Sequence, residues 1–92
     1  VVRPGKAQGI TVWPNPFADA ISIRVNASQP GRYSIRLLDA GGKLITTANR
    51  YFASGSSQAV IDGLGPVARG VYFLEMTNNE TGEVSRYSMI KK

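Results

Sequence analysis

The chain has 92 residues and a net charge of +5, and 42% of its residues are hydrophobic. This length predicts one domain with one core, and this hydrophobic content is too high for a disordered chain. The chain has no histidine and no cysteine, which excludes a histidine general base, disulfide bonds and thiolate zinc sites.

The first nine residues differ in composition from the rest of the chain. Residues 1–9 contain glycine, proline and two basic side chains with little apolar content, and the chain begins with Val1 rather than methionine. We interpret them as a linker from a missing upstream cargo, with the domain itself spanning residues 10–92. No apolar run approaches the ~20 residues of a membrane-spanning helix, so no transmembrane segment is predicted.

From residue 10 onward the dominant hydrophobic period is two, which is typical of strands with one apolar face. The predicted strands span residues 10–13, 20–26, 32–39, 43–48, 58–62, 70–78 and 83–91. The side chains predicted to face inward are Ile21, Ile23, Val25, Ile35, Leu37, Tyr72, Leu74 and Met76. Short strands separated by turn signals predict an all-β fold, a seven-stranded antiparallel immunoglobulin-like β-sandwich.

The first turn signal is Pro14-Asn15-Pro16, directly after the first strand. Proline lacks a backbone donor, so the two prolines end strand pairing, while the amide of Asn15 can bond to nearby backbone. We interpret this segment as a rigid corner, with the less favoured alternative that it is a surface seen by other proteins. Phe17 is expected to close one end of the core.

Two hairpin turns and one loop follow in the chain. Asp39-Ala40-Gly41-Gly42 predicts a tight hairpin in which the aspartate bonds to backbone amides and glycine supplies a positive φ. Residues 54–57 are predicted to be a polar loop, and residues 78–82 a second hairpin.

The start of the sixth predicted strand carries two further candidates. Gly70 is expected to supply a special backbone shape just before the strand. Tyr72 follows a long crossover, and its hydroxyl needs a partner if the ring is buried. This placement predicts a tyrosine corner like that of immunoglobulin-like sandwiches.

Three motifs in this order resemble one family. They are Val12-Trp13-Pro14-Asn15-Pro16-Phe17, then Leu37-Leu38-Asp39-Ala40-Gly41-Gly42-Lys43-Leu44, then the segment from Leu64 through Gly70-Val71-Tyr72-Phe73-Leu74 ahead of a hairpin and a last strand ending in Lys91-Lys92. Together they resemble the C-terminal sorting domain of the type IX secretion system of Bacteroidetes, over about residues 10–92.

This resemblance implies a non-enzymatic sorting signal without a cofactor. It implies that an upstream cargo in the same chain crosses the outer membrane through a translocon, and that a sortase-like protease removes the domain. The implied route runs through the periplasm to the cell surface or the medium. The sorting-motif residues implied in this way are Pro14, Asn15, Pro16, Phe17, Asp39, Gly41, Gly42, Gly70 and Tyr72, to which Arg86, Lys91 and Lys92 of the last strand are added.

Other function classes remain open from the residues alone. A carbohydrate-binding module could use Trp13, Tyr51 and Phe52 as a stacking platform, which requires coplanar rings in solvent. A passive immunoglobulin-like spacer or adhesion domain is a further alternative. Nucleic-acid binding is disfavoured because the basic residues are dispersed and do not cluster with aromatic ones. The carboxylates are scattered, so no metal site and no enzymatic activity are predicted.

The last strand is the segment predicted to be closest to function. Residues 83–92 can pair with the preceding strand on one side, and the other side is predicted to be a free edge that offers backbone donors and acceptors. Receptors can add a strand to such an edge. Arg86, Lys91 and Lys92 are predicted to guard it against aggregation.

Overall fold

The computed structural model describes residues 9–92, which form seven strands. They are β1 (Gly9–Trp13), β2 (Ile21–Ala27), β3 (Gly31–Asp39), β4 (Leu44–Phe52), β5 (Gly55–Ile61), β6 (Gly70–Asn78) and β7 (Val84–Lys91). One sheet has the order β1-β2-β5 and the other β4-β3-β6-β7, and all neighbouring strands are antiparallel. The predicted immunoglobulin-like sandwich is confirmed. Residues 1–8 of the predicted linker lie outside the described residues, and Gly9 belongs to β1.

The core lies between the two sheets, and period-two alternation decides which side chains enter it. All eight side chains predicted to face inward are buried, and they belong to one cluster that also includes Phe17, Phe52, Leu64 and Met89. Burial of one such large apolar side chain stabilises a fold by about 1.5–3 kcal/mol. The alternation therefore fixes which face of each strand packs inward.

The bounds of β4 and β5 differ from the prediction. The predicted polar loop at residues 54–57 is wrong, because β5 begins at Gly55 and its residues Ser56 and Ser57 pair with Asn26 and Val25 of β2. Strand pairing uses backbone groups, so a polar segment can join a sheet and turn its side chains to solvent. The preceding strand, β4, extends to Phe52, which is buried and packs edge-to-face on Tyr33 with ring centroids 5.4 Å apart.

The turn between β3 and β4 is held by one aspartate, as predicted. One carboxylate oxygen of Asp39 accepts the amide protons of Gly41 at 2.9 Å and Lys43 at 2.8 Å. Gly42 has a φ of +90°, a conformation that a residue with a Cβ rarely adopts. The polar side chain and the glycine together close the hairpin within a few residues.

The predicted tyrosine corner is also present. The Tyr72 hydroxyl donates to the carbonyl oxygen of Ala68, four residues upstream, at 2.6 Å. Gly70, the first residue of β6, has a φ of +148°, which only glycine adopts readily. The corner fixes the path by which the chain enters β6 and holds the tyrosine ring at one end of the core.

Candidate functional site

The three sequence motifs converge at one end of the sandwich. Strand register places Asp39 opposite Tyr72, and Tyr72 opposite Met89. The fully buried ring of Phe17 packs edge-on against Tyr72, with centroids 6.1 Å apart and planes at 69°. Phe17 therefore closes this end of the core, as the sequence predicted, and it brings its neighbours against the last strand.

The Pro14–Phe17 segment pairs with β7 through backbone groups. The amide of Phe17 donates to the carbonyl of Ile90 at 2.8 Å, and the amide of Lys92 donates to the carbonyl of Phe17 at 3.0 Å. These two bonds form a parallel bridge between Phe17 and Lys91. The segment that leaves the first sheet therefore reaches across the sandwich to the edge of the second.

Asn15 continues this pairing with its side chain. Its amide nitrogen donates to the carbonyl of Ser88 at 3.2 Å, and its amide oxygen accepts the Ile90 amide proton at 2.9 Å. A carboxamide carries one donor edge and one acceptor edge, so it can replace a peptide group beside a strand. Both prolines flanking Asn15 follow cis peptide bonds.

The outer edge of β7 is therefore only partly free, which corrects the prediction of a free edge along the whole strand. Asn15 and Phe17 cover the edge from the carbonyl of Ser88 to the amide of Lys92, and within the described residues the edge is uncovered from Val84 to the amide of Ser88. Lys91 does not guard that edge, because its side chain faces inward, is 8% exposed and donates to the carbonyl of Lys92 at 3.0 Å. Of the three basic residues predicted to guard the edge, Arg86 is the one that lies beside its free part, and its side chain is exposed.

A row of three charges crosses the outer face of the four-stranded sheet. Arg36 of β3, Glu75 of β6 and Arg86 of β7 lie side by side in register. Arg36 donates to one carboxylate oxygen of Glu75 at 2.9 Å, and Arg86 donates to the other. The two arginine side chains are 49% and 59% exposed, whereas that of Glu75 is 11% exposed.

The two guanidinium groups set the electrostatics of this row. Hydrogen bonds from Arg86, then from Arg36, lower the pKa of Glu75 below its usual value of 4.5, against a smaller opposing effect of burial. The carboxylate is therefore charged at neutral pH, and the row of one carboxylate between two guanidinium groups carries a net charge of +1.

An open groove of about 360 Å³ connects this row with the β3–β4 hairpin. Asp39, Gly41, Gly42 and Arg86 line the groove together with Arg36, Leu38, Ala40, Phe73 and Glu75. Four of the residues singled out from sequence thus share one surface feature. Sequence reasoning missed Arg36 and Glu75. Each occupies a polar position in a strand whose apolar and polar residues alternate, but only the register of β3 and β6 places the two side by side.

The platform suggested for carbohydrate binding is not formed. Phe52 is buried, with 1% of its surface exposed. Tyr51 lies on the outer face of the four-stranded sheet beside Arg32, whereas Trp13 lies on the outer face of the three-stranded sheet beside Ser22. The three rings cannot stack on one sugar because they occupy opposite faces and the core.

Residues 9–92 contain no group of three or more acidic, histidine or cysteine side chains placed to hold a metal ion. They also contain no helix with the length and apolarity needed to cross a membrane.

The fold defines the chain as an immunoglobulin-like β-sandwich whose last strand is tied to its first turn. A sequence model of the family described as "Secretion system C-terminal sorting domain" matches residues 11–91. The chain belongs to this family, the C-terminal sorting domains of type IX secretion. A comparison with curated protein sequences found no significant match. Family membership implies a cargo in the same chain and secretion across the outer membrane to the cell surface or beyond.

Proposed function

We propose that the domain is a non-enzymatic address that carries an upstream cargo from the periplasm through the type IX translocon, and that a sortase-like protease then removes it. In this proposal the segment at residues 83–92 is the part that the export machinery reads most directly. The domain is recognised, the translocon transports the cargo, and the protease cleaves the domain from it.

One observation carries the proposal beyond family membership. The residues of the first motif, Asn15 and Phe17, bond to the backbone of β7 from Ser88 to Lys92. The second and third motifs lie in register at the same end of the sandwich, with Asp39 opposite Tyr72. A motif set that holds one terminal strand in place is the arrangement expected when that strand is the recognised element.

A passive spacer is the competing function, and it predicts a different use of these residues. A spacer needs a stable core, which Tyr72 and Phe17 support in either case. It does not need a terminal strand whose outer edge is partly covered and partly open. The two functions therefore predict different results when the terminal strand is altered in a domain that remains folded. A sorting signal loses export, whereas a spacer does not.

The test is a cargo fusion expressed in a host that has the type IX system. A reporter with an export signal is joined to residues 1–92, and its amount in periplasm, cell surface and medium is measured by fractionation. Deletion of residues 89–92 is expected to leave the reporter folded but retained in the periplasm. The matched control is Lys92→Ala, which removes one exposed side chain and keeps the backbone bond to Phe17, so export is expected to stay normal.

The deletion also removes backbone bonds within the domain, so its folding is measured separately. Circular dichroism of the purified truncated domain shows whether the sandwich persists. If the truncated domain is unfolded, Asn15→Ala is used instead, because it removes the two side-chain bonds to β7 while leaving every residue of β7 and the backbone bonds of Phe17 in place. Normal surface delivery of a fusion whose domain is folded, but whose last strand is truncated or has lost the Asn15 bonds, contradicts the proposal.

A further inference from the structure

We infer that residues 84–88, the uncovered part of the β7 edge, bind an extended acidic segment of another protein, which adds as a strand with a carboxylate opposite Arg86. This inference rests on the proposed function, because it names the chemistry of the partner that reads the terminal strand.

The backbone of this part of β7 is prepared for pairing. Residues of an antiparallel strand alternate between bonding one neighbour and bonding the other. Ser88 and Ile90 use their backbone groups to bond Asn15 and Phe17. The backbone amides and carbonyls of the even-numbered residues of β7 therefore point away from β6. Within residues 9–92 no hydrogen bond reaches the outward amides and carbonyls of Val84 and Arg86. The open stretch is about 13 Å long, enough for a partner strand of roughly five residues.

Charge selects the partner. The row Arg36, Glu75, Arg86 alternates in sign across three adjacent strands and ends at the edge with a positive charge. A strand added beside β7 places one side chain directly next to Arg86 on the same face. Opposite charges at such cross-strand positions stabilise a sheet, and like charges destabilise it. An acidic residue therefore continues the alternation.

Arg86 has the exposure and the donors for a second carboxylate. Its side chain is 59% exposed, and one of its nitrogens, Nη2, bonds Glu75. A guanidinium carries five N–H donors, so donors remain for an incoming group. Val84, two residues earlier on the same face, is 52% exposed. The fitting segment thus carries an apolar residue opposite Val84 and, two positions away, an acidic residue opposite Arg86.

The positive charge of Arg86 disfavours two other occupants of this edge. Two copies of the chain pairing antiparallel through residues 84–88 bring their Arg86 side chains opposite or nearly opposite each other, which is repulsive. The eight residues that precede the described part of the chain include Arg3 and Lys6 and no acidic residue. They would place a positive charge beside Arg86 rather than neutralise it.

The first experiment measures the free protein. Amide hydrogen exchange of the full 92-residue chain is followed by NMR at two protein concentrations. The Val84 and Arg86 amides are expected to exchange quickly, and the Ile90 amide slowly because it bonds Asn15. Protection of Val84 and Arg86 that grows with concentration identifies a second copy as the occupant. Protection independent of concentration identifies the chain's own upstream residues. Either result overturns the inference.

The second experiment compares two peptides that differ in one charge. Each peptide has the sequence Val-Thr-Val-Thr-Xaa-Thr-Val-Thr-Val, in which Xaa is glutamate in one peptide and lysine in the other. Valine therefore lies two positions from the central charge, on the same face of the added strand. The amide shifts of residues 84–88 are followed as peptide is added. The glutamate peptide is expected to bind about fivefold more tightly than the lysine peptide. Equal affinities, shifts confined to other residues, or no shift with either peptide at millimolar concentration overturn the inference.

A charge-inverted variant provides the matched control. Arg36→Glu, Glu75→Arg and Arg86→Glu together keep every attraction within the row but end it with a negative charge. The preference is expected to reverse toward the lysine peptide by a similar factor. If it does not reverse while circular dichroism shows a folded sandwich, the charge of the row does not select the partner. Loss of export on deletion of residues 89–92, combined with equal affinity for both peptides, overturns this inference and leaves the proposed function standing.

Discussion

The side-chain oxygen of Asn15 accepts the amide proton of Ile90 at 2.9 Å, across 75 positions of sequence. The same side chain donates to the carbonyl of Ser88. One residue of the first turn therefore substitutes for a neighbouring strand along part of the last strand. This relationship divides the edge of β7 into a covered part, held by the domain itself, and an open part beside Arg86.

The first prediction concerns this link. Asn15→Ala removes both bonds to β7 and is expected to lower the free energy of unfolding by about 1–2 kcal/mol. Amide exchange at Ile90 should become faster at the same time. The matched control is Asn15→Asp, which keeps an oxygen to accept the Ile90 proton but has no donor for Ser88. Its Ile90 amide should remain protected, and equal exchange rates in the two variants would contradict this assignment of the bonds.

The second prediction concerns the tyrosine corner. Tyr72→Phe removes the hydroxyl that donates to the carbonyl of Ala68 at 2.6 Å, and it is expected to cost about 1–2 kcal/mol. Urea unfolding should show a lower midpoint with an unchanged slope, because the surface exposed on unfolding stays the same. Tyr33→Phe is the control, since the Tyr33 hydroxyl accepts a longer bond of 3.3 Å from Asn78. Its cost should be smaller, about 0.5 kcal/mol.

The third prediction concerns the β3–β4 hairpin. Gly42 has a φ of +90°, so Gly42→Ala forces a Cβ into an unfavourable conformation and is expected to cost about 1–2 kcal/mol. A Cβ at the neighbouring Gly41 would lie 3.5 Å from the Asp39 carboxylate, an ordinary contact. Gly41→Ala should therefore change stability by about 0.5 kcal/mol or less. Thermal unfolding distinguishes the pair, and equal losses would show that φ does not govern this turn.

The fourth prediction is a pH dependence of stability. The pKa of Glu75 is lowered in the folded protein, chiefly by its hydrogen bond with Arg86. A carboxyl with a lowered folded-state pKa contributes stability above its unfolded-state pKa, and this contribution is lost as pH falls through the folded-state value. The difference in unfolding midpoint between the natural protein and Glu75→Gln should therefore shrink from about pH 7 to about pH 3.

The control for this pH dependence is Glu80→Gln, which changes an exposed glutamate of the β6–β7 hairpin. Its difference from the natural protein should stay small and nearly constant over the same range. A difference for Glu75→Gln that stays constant or grows on acidification would show that its ion pairs do not stabilise the fold.

Local features of the chain could be predicted because they depend on neighbouring residues. Alternation at Ile21, Ile23 and Val25 identifies a strand and its buried face, since side chains of a strand point to opposite sides in turn. The turn at Asp39 and Gly42 was predictable for the same reason, because its bonds span only a few residues. The loop predicted at residues 54–57 failed because a polar composition was interpreted locally, whereas pairing with β2 uses the backbone.

Contacts between distant parts of the chain were decided by tertiary structure alone. Arg36 and Glu75 are 39 positions apart, and a shift of either strand would separate them without changing any local pattern. The pairing of Asn15 with β7 likewise depends on tertiary packing, because the contact of the buried Phe17 ring with Tyr72 holds this segment beside the last strand. Lys91 shows the same limit, since its inward direction follows from the register of β7 and not from its charge. Sequence alone therefore determined which segments are strands and which faces are apolar. Strand register and packing between sheets, which depend on burial summed over the whole core, decided which polar groups meet at the edge of the last strand.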